Sequence, residues 1–154
     1  MMKIMDYIKE DGVISDLQAI DKLSVLKELS RVLVKPDQSP LTEEITEAVL
    51  SREKLGSTGI GQGIAIPHGR LKRSKDFIVS FGRSIKGIDF DSIDEKPTHL
   101  FFLVMGPENS PVSNLKLLSR IATILKDASF KGQLMKARSQ RELFQLITEE
   151  DEKY

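Results

Sequence analysis

The stretch Leu50-Ser-Arg-Glu-Lys-Leu-Gly-Ser-Thr-Gly-Ile-Gly-Gln-Gly-Ile-Ala-Ile-Pro-His-Gly69 falls into three parts. Its first residues continue a helical pattern in which Thr42 is the expected cap, Glu43 and Glu44 sit in the positive first turn, and Ile45 and Val49 face inward, so Arg52 falls at the helix C-terminus. Its middle, with glycines at 56, 59, 61 and 63, is too glycine-dense for a helix interior. Its end, Ile64-Ala-Ile66, is strand-like and stops at His68, set between Pro67 and Gly69.

Outward from this stretch the chain alternates in the same way. Upstream, an amphipathic segment with Ile4, Met5 and Ile8 precedes a strand over Val13 to Leu17. A helix then runs from Asp21 to Val34 with Leu26, Leu29 and Leu33 on one face, and Pro36 and Pro40 punctuate its exit. Downstream, Phe77, Val79 and Phe81 alternate with Ile78, Ser80 and Gly82, and a second apolar strand spans His99 to Met105 before Gly106-Pro107. The rest reads as helix: Val112 to Lys126 with Leu115, Leu118, Ile121 and Leu125, a short piece with Phe130 and Leu134, and a last helix opened by the capping box Ser139-Gln-Arg-Glu142. The charge run Glu149 to Lys153 reads as a solvated tail. Strands interleaved with helices predict a layered α/β fold, and 154 residues suit one domain.

Composition narrows the function. Lys plus Arg and Asp plus Glu both number 23, so no basic excess is left to neutralise a nucleic-acid backbone. The absence of cysteine removes disulfides, thiolate metal sites and thiol nucleophiles. Apolar runs such as Leu100 to Met105 are far short of a membrane span, and the N-terminus lacks a signal-peptide core, so the expected location is cytoplasmic without membrane insertion.

The chemistry concentrates on His68. Pro67 fixes its own backbone angle and offers no N–H, while glycines leave main-chain N–H groups open to an anion. A neutral imidazole is a nucleophile at physiological pH, and a phosphoryl group on its nitrogen stays labile enough to pass on when neighbours hold the oxygens. Arg52 offers a permanent guanidinium fork and Thr58 a hydroxyl. Other readings stand beside these: Arg52 as a cation at a helix C-terminus, Thr58 as a turn residue, the glycines as a tight surface connection. There is no Gly-Lys-Ser/Thr end for a P-loop, no dinucleotide glycine spacing and no Gly-x-Ser-x-Gly elbow, and two histidines 31 positions apart are a poor metal set. Cofactor and metal are therefore expected to be none. His99, within Thr98-His-Leu-Phe-Phe-Leu-Val104, reads as a strand histidine with a hydrogen-bond partner at a sheet end, a second relay histidine being the minor alternative.

The segment Leu50 to Gly69 resembles the active-site signature of the mannitol/fructose-type enzyme IIA family of the phosphoenolpyruvate-dependent phosphotransferase system, closest to its nitrogen-related branch. The resemblance continues through Phe90-Asp-Ser-Ile-Asp94, Leu100 to Pro107, the helix with Leu115 and Leu118, and Ser139 to Ile147. It implies a single-domain three-layer α/β/α sandwich with a small mixed sheet. It also implies phosphorylation of His68 at its tele nitrogen by the phosphocarrier HPr or its nitrogen-related counterpart, with Arg52 beside the histidine and Ser57, Thr58, Gly59, Gly61 and Gly63 in the loop lining the site. The partner downstream is a regulatory target protein in nitrogen-related members and a IIB domain in sugar-transporting ones. The regulatory phosphocarrier is the preferred reading, with a sugar-specific IIA or a non-phosphorylated interaction module as alternatives. One position departs from the family: where it commonly carries a second histidine followed by leucine, this sequence has Asn114-Leu115. An amide can donate to a phosphoryl oxygen but cannot become cationic, so a slower or less stable phosphorylation is expected.

Overall fold

The computed structural model describes residues 2–72 and 74–154. After a single 3-10 turn at Ile4–Asp6 come β1 (Ile8–Ile14) and α1 (Lys22–Arg31), then α2 (Ser39–Glu53). The short strands β2 (Gly59–Gly61), β3 (Ile64–Ala65) and β4 (His68–Leu71) precede the long β5 (Ile78–Ile88) and β6 (Thr98–Pro107). Three helices close the chain: α3 (Pro111–Leu125), α4 (Ala128–Lys136) and α5 (Gln140–Glu152).

The six strands form one mixed sheet in the order β1-β5-β6-β3-β2, with β4 also pairing β6. β6 is its axis: it runs antiparallel to β5 and parallel to both β3 and β4. Its unbroken apolar run follows from burial on both faces. Leu100, Phe102 and Val104 pack with Leu117 and Ile121 of α3, Phe130 and Leu134 of α4, and Leu143 and Ile147 of α5. Phe101, Leu103 and Met105 pack instead with Val25, Leu26 and Leu29 of α1 and Ile45 and Val49 of α2. The sheet is thus the middle of three layers, α/β/α.

Several boundaries differ from the sequence reading. The first strand is Ile8–Ile14, not Val13 to Leu17, so Ile8 belongs to the sheet, in register with Val79. The helix expected to be capped by Thr42 begins at Ser39 and contains Thr42, whose carbonyl accepts from Thr46 Oγ1 at 2.7 Å. Pro40 therefore falls in the first turn of α2, where a missing N–H costs nothing. α3 turns Asn114, Leu117, Ile121, Ile124 and Leu125 inward and leaves Leu115 65% exposed. The last helix has half of its expected capping box: Ser139 Oγ accepts from the Glu142 N–H, but the Glu142 carboxylate turns to the Arg138 N–H. The charge run at the C-terminus is no solvated tail. It lies on α5 through Glu152, with Glu150 and Asp151 buried, because Asp151 is the anchor of a polar cluster between α3, α5 and the N-terminal turn.

Candidate functional site

β3 and β4 lie end to end along β6, Ile64 beside Leu100 and His68 beside Val104, with Pro67 between them donating nothing and its carbonyl accepting from Val104 N–H. His68 is therefore the first residue of a strand rather than the end of one. The strand was hidden in sequence because His-Gly-Arg-Leu has no β-branched residue, and its pairing comes from β6. Within β4, Gly69 lies against α2 so closely that a Cβ there would meet the Ala48–Val49 backbone at 3.2 Å, and Leu71 joins the α1/α2 core. Alternation then puts His68 and Arg70 on the opposite face, the side covered by α3. The close approach at Gly69 brings the C-terminal turn of α2, with Arg52 and Glu53, up to the histidine.

The His68 ring is half-buried, and its Nδ1–H donates to the Ile66 carbonyl at 2.9 Å. That bond fixes the tautomer and leaves the Nε2 lone pair free. Burial pushes the His68 pKa below the ordinary 6.5; the Arg52 and Arg70 charges push the same way, and the Ile66 bond and the Glu53 charge oppose them. The ring is thus neutral at pH 7, the state of a nucleophile.

Arg52 stands at the end of α2 with its guanidinium between the helix end and His68. Nη1 donates to the Gly56 carbonyl at 2.9 Å beyond the helix end, while the charge acts on His68. Arg70, exposed on β4, is a second cation facing the ring that sequence reasoning did not single out; its signal was its position two residues after His68 on a strand. Thr58 is buried, and both its N–H, at 2.9 Å, and its hydroxyl donate to Glu53. Its hydroxyl proton is accordingly directed at the carboxylate. Glu53 is the other residue the sequence reading missed.

The remaining loop positions play separate parts. Ser57 Oγ donates to the Phe90 carbonyl at 2.9 Å and accepts from Gly59 N–H at 3.0 Å, tying the loop to the segment before β6. Gly61 (φ 92°), Gln62 (φ 58°) and Gly63 (φ 79°) make the left-handed turn of the β2–β3 hairpin. Gly63 lies opposite His99, five residues along β6 from the partner of His68, a backbone separation of roughly 16 Å. The turn is therefore set apart from the imidazole backbone. Asn114 sits in the first turns of α3, 6% exposed, on the helix face that covers the His68 side of the sheet, and its Oδ1 is buried with no partner among the described residues. His99 is half-buried, its Nδ1–H donating to the Ser84 carbonyl at 2.9 Å, the strand role expected of it. Among the described residues no cluster of three or more His, Cys, Asp or Glu could hold a metal ion, and no helix is long and apolar enough to cross a membrane.

Known proteins match nearly the whole chain in sequence and fold. Residues 6–150 match the family described as phosphoenolpyruvate-dependent sugar phosphotransferase system, EIIA 2. A nitrogen regulatory protein from Bradyrhizobium diazoefficiens is 33% identical over 150 residues, covering 95% of both chains. The fructose-specific EIIABC component of Bacillus subtilis is 33% identical over 150 residues, which is 97% of this chain and 24% of that protein. Among solved structures, the nitrogen regulatory protein IIA-Ntr of Neisseria meningitidis superposes with a TM-score of 0.86 at 32% identity, covering 94% of this chain and 98% of that one. The chain belongs to the type-2 EIIA family of the phosphoenolpyruvate-dependent sugar phosphotransferase system.

Proposed function

We propose that the protein is a cytoplasmic phosphocarrier that accepts a phosphoryl group on Nε2 of His68 from an HPr-type donor and serves mainly as a nitrogen-related regulatory EIIA. The observation that carries this reading is the Nδ1–H bond to Ile66, which leaves Nε2 as the one free nucleophilic nitrogen of a neutral ring. In the transfer, Nε2 attacks the phosphorus of the donor's phosphohistidine and the donor's N–P bond breaks in line. The donor imidazole leaves with its electron pair. The proton on His68 Nδ1 stays in place, and the positive charge that the ring gains is stabilised by the Ile66 carbonyl. Arg52 and Arg70 offset the charge on the phosphoryl oxygens. Exposed apolar side chains next in sequence to the site, Leu55 (84%), Val112 (66%) and Leu115 (65%), offer a docking rim for donor and recipient.

The regulatory role rests on the nitrogen regulatory relatives, which match over the length of both chains. Adding about two negative charges at His68 gives such a protein two states a target can distinguish. A sugar-specific role, with transfer to a IIB domain, is favoured by the similarity to the fructose-specific component.

Incubation with phosphoenolpyruvate, enzyme I and HPr, followed by intact mass, should show one acid-labile phosphoryl group on the wild type and none on His68→Ala. No gain from either an HPr or its nitrogen-related counterpart would leave an interaction module as the better reading. Onward transfer to a IIB domain would mark the sugar-specific one.

A further inference from the structure

Lys22 and Glu53 both stand where a helix disfavours them. Lys22 is the first residue of α1, at the positive end of its dipole, and Glu53 is the last residue of α2, at the negative end. Each is held there by the other, Lys22 Nζ lying 3.2 Å from Glu53 Oε1. Lys22 is further fixed by Asp91 at 3.3 Å and by the Phe90 ring, 4.8 Å to its centroid. A carboxylate whose side chain is 1% exposed is costly to bury, so its partners must be many and well placed.

Those partners lead to the nucleophile. Glu53 Oε1 accepts from Thr58 N–H at 2.9 Å, and its other oxygen accepts from the Thr58 hydroxyl. The Thr58 carbonyl accepts from Ile66 N–H at 3.1 Å, and the Ile66 carbonyl accepts from His68 Nδ1–H at 2.9 Å. The chain is unbroken from the ammonium of Lys22 to the imidazole. Pro67, which follows Ile66, adds a fixed φ, so the position of the Ile66 carbonyl is set by the Thr58 contact on one side and the proline ring on the other.

We propose that Glu53 is the positioning residue of the site: through Thr58 and Ile66 its carboxylate sets the tautomer and orientation of His68, with Lys22 holding the carboxylate in place. This rests on His68 as the phosphoryl acceptor, and it assigns Glu53 no contact with the reacting atoms. Glu53→Gln keeps the shape and one acceptor, but loses the Lys22 pair and one of the two bonds to Thr58.

The test compares wild type, Glu53→Gln and Lys22→Met by thermal melting, by nitrogen-15 spectra of the His68 ring, and by the rate of phosphoryl acceptance at saturating and limiting phosphodonor. Glu53→Gln should stay folded and show a reduced fraction of the Nδ1–H tautomer. Its rate at saturating donor should fall about tenfold to a hundredfold with little change in half-saturation, the signature of misplacement rather than weaker docking. Lys22→Met, which leaves Glu53 in place, should move the ring signals in the same direction with a smaller loss. Wild-type ring signals in both variants would overturn the proposal, whether or not their rates fall, since a merely structural role lowers the folded fraction without altering the tautomer. The ring spectrum needs no phosphodonor. A wild type that accepts no phosphoryl group would therefore count against the proposed function alone.

Discussion

Asp151→Ala should lose about 3–5 kcal/mol of stability, the cost of leaving one partner of a buried ion pair behind. Asp151 is fully buried, and its two oxygens accept from Arg120 Nε at 2.6 Å and Met5 N–H at 2.9 Å. Arg120 also donates through Nη2 to the Asp151 and Tyr154 carbonyls at the end of α5. One carboxylate thus ties the N-terminal turn, α3 and α5 together. Its removal strands a guanidinium whose side chain is only 13% exposed, together with a backbone N–H. For a domain of this size the loss corresponds to a fall in melting temperature of roughly 10–15 °C. Replacing both partners with apolar residues, Asp151→Leu with Arg120→Met, should cost less than the single change. Thermal melts of the wild type and the two variants decide it: a loss in Asp151→Ala below about 1 kcal/mol would mean the pair is solvated in solution.

Arg52→Gln should lower the rate of phosphoryl acceptance about a hundredfold, the usual scale for one preorganised electrostatic contact to a transferring group. It should also change the pH profile, and the sign follows from the causes of the His68 shift. Burial and the Arg52 charge both disfavour the imidazolium, so wild-type acceptance holds steady through neutral pH and declines only below the ordinary histidine range. Without Arg52 one of the downward influences is gone. The histidine pKa rises toward 6.5, and the acid limb of the profile moves to higher pH. Arg70→Gln, at an exposed position, should cost only a few-fold. Rates and profiles measured from pH 5 to 9 check both variants; an Arg52→Gln protein within threefold of wild type would reduce Arg52 to a helix-end cation.

The architecture was legible where burial imposes a pattern. β6 is buried on both faces and its run from Leu100 to Met105 announces it, while the inward face of α1, with Leu26 and Leu29, reads from periodicity, although the helix ends at Arg31 and not at Val34. The inward face of α3 was not decidable, because apolar residues at 112, 115, 117, 118, 121, 124 and 125 satisfy two helical faces; packing chose the one with Asn114 and Leu117 and left Val112 and Leu115 in water. A buried aspartate within Glu149 to Lys153 cannot be told from a solvated one until Arg120 is brought to it from 31 residues away.

The site divides in the same manner. The roles proposed for His68 and Arg52 follow from residue type and short-range setting, whereas those proposed for Glu53 and Arg70 depend on the loop folding back onto α2 and on β4 pairing with β6. Arg83 shows the same limit away from the site: a buried guanidinium in a strand, it donates to the carbonyls of Ser15, Leu134 and Ala137, partners that no local pattern reveals. The glycines have a conformational part that their density alone did not specify: Gly61 and Gly63 hold the left-handed turn of the β2–β3 hairpin.

The most direct test is nitrogen-15 and phosphorus-31 spectroscopy of the phosphorylated protein, which identifies the nitrogen bearing the group. A phosphoryl group on Nε2 of His68, with Nδ1 still protonated toward Ile66, is the predicted result. Attachment at Nδ1 of His68, or at His99 or any other residue, would contradict the account at its centre.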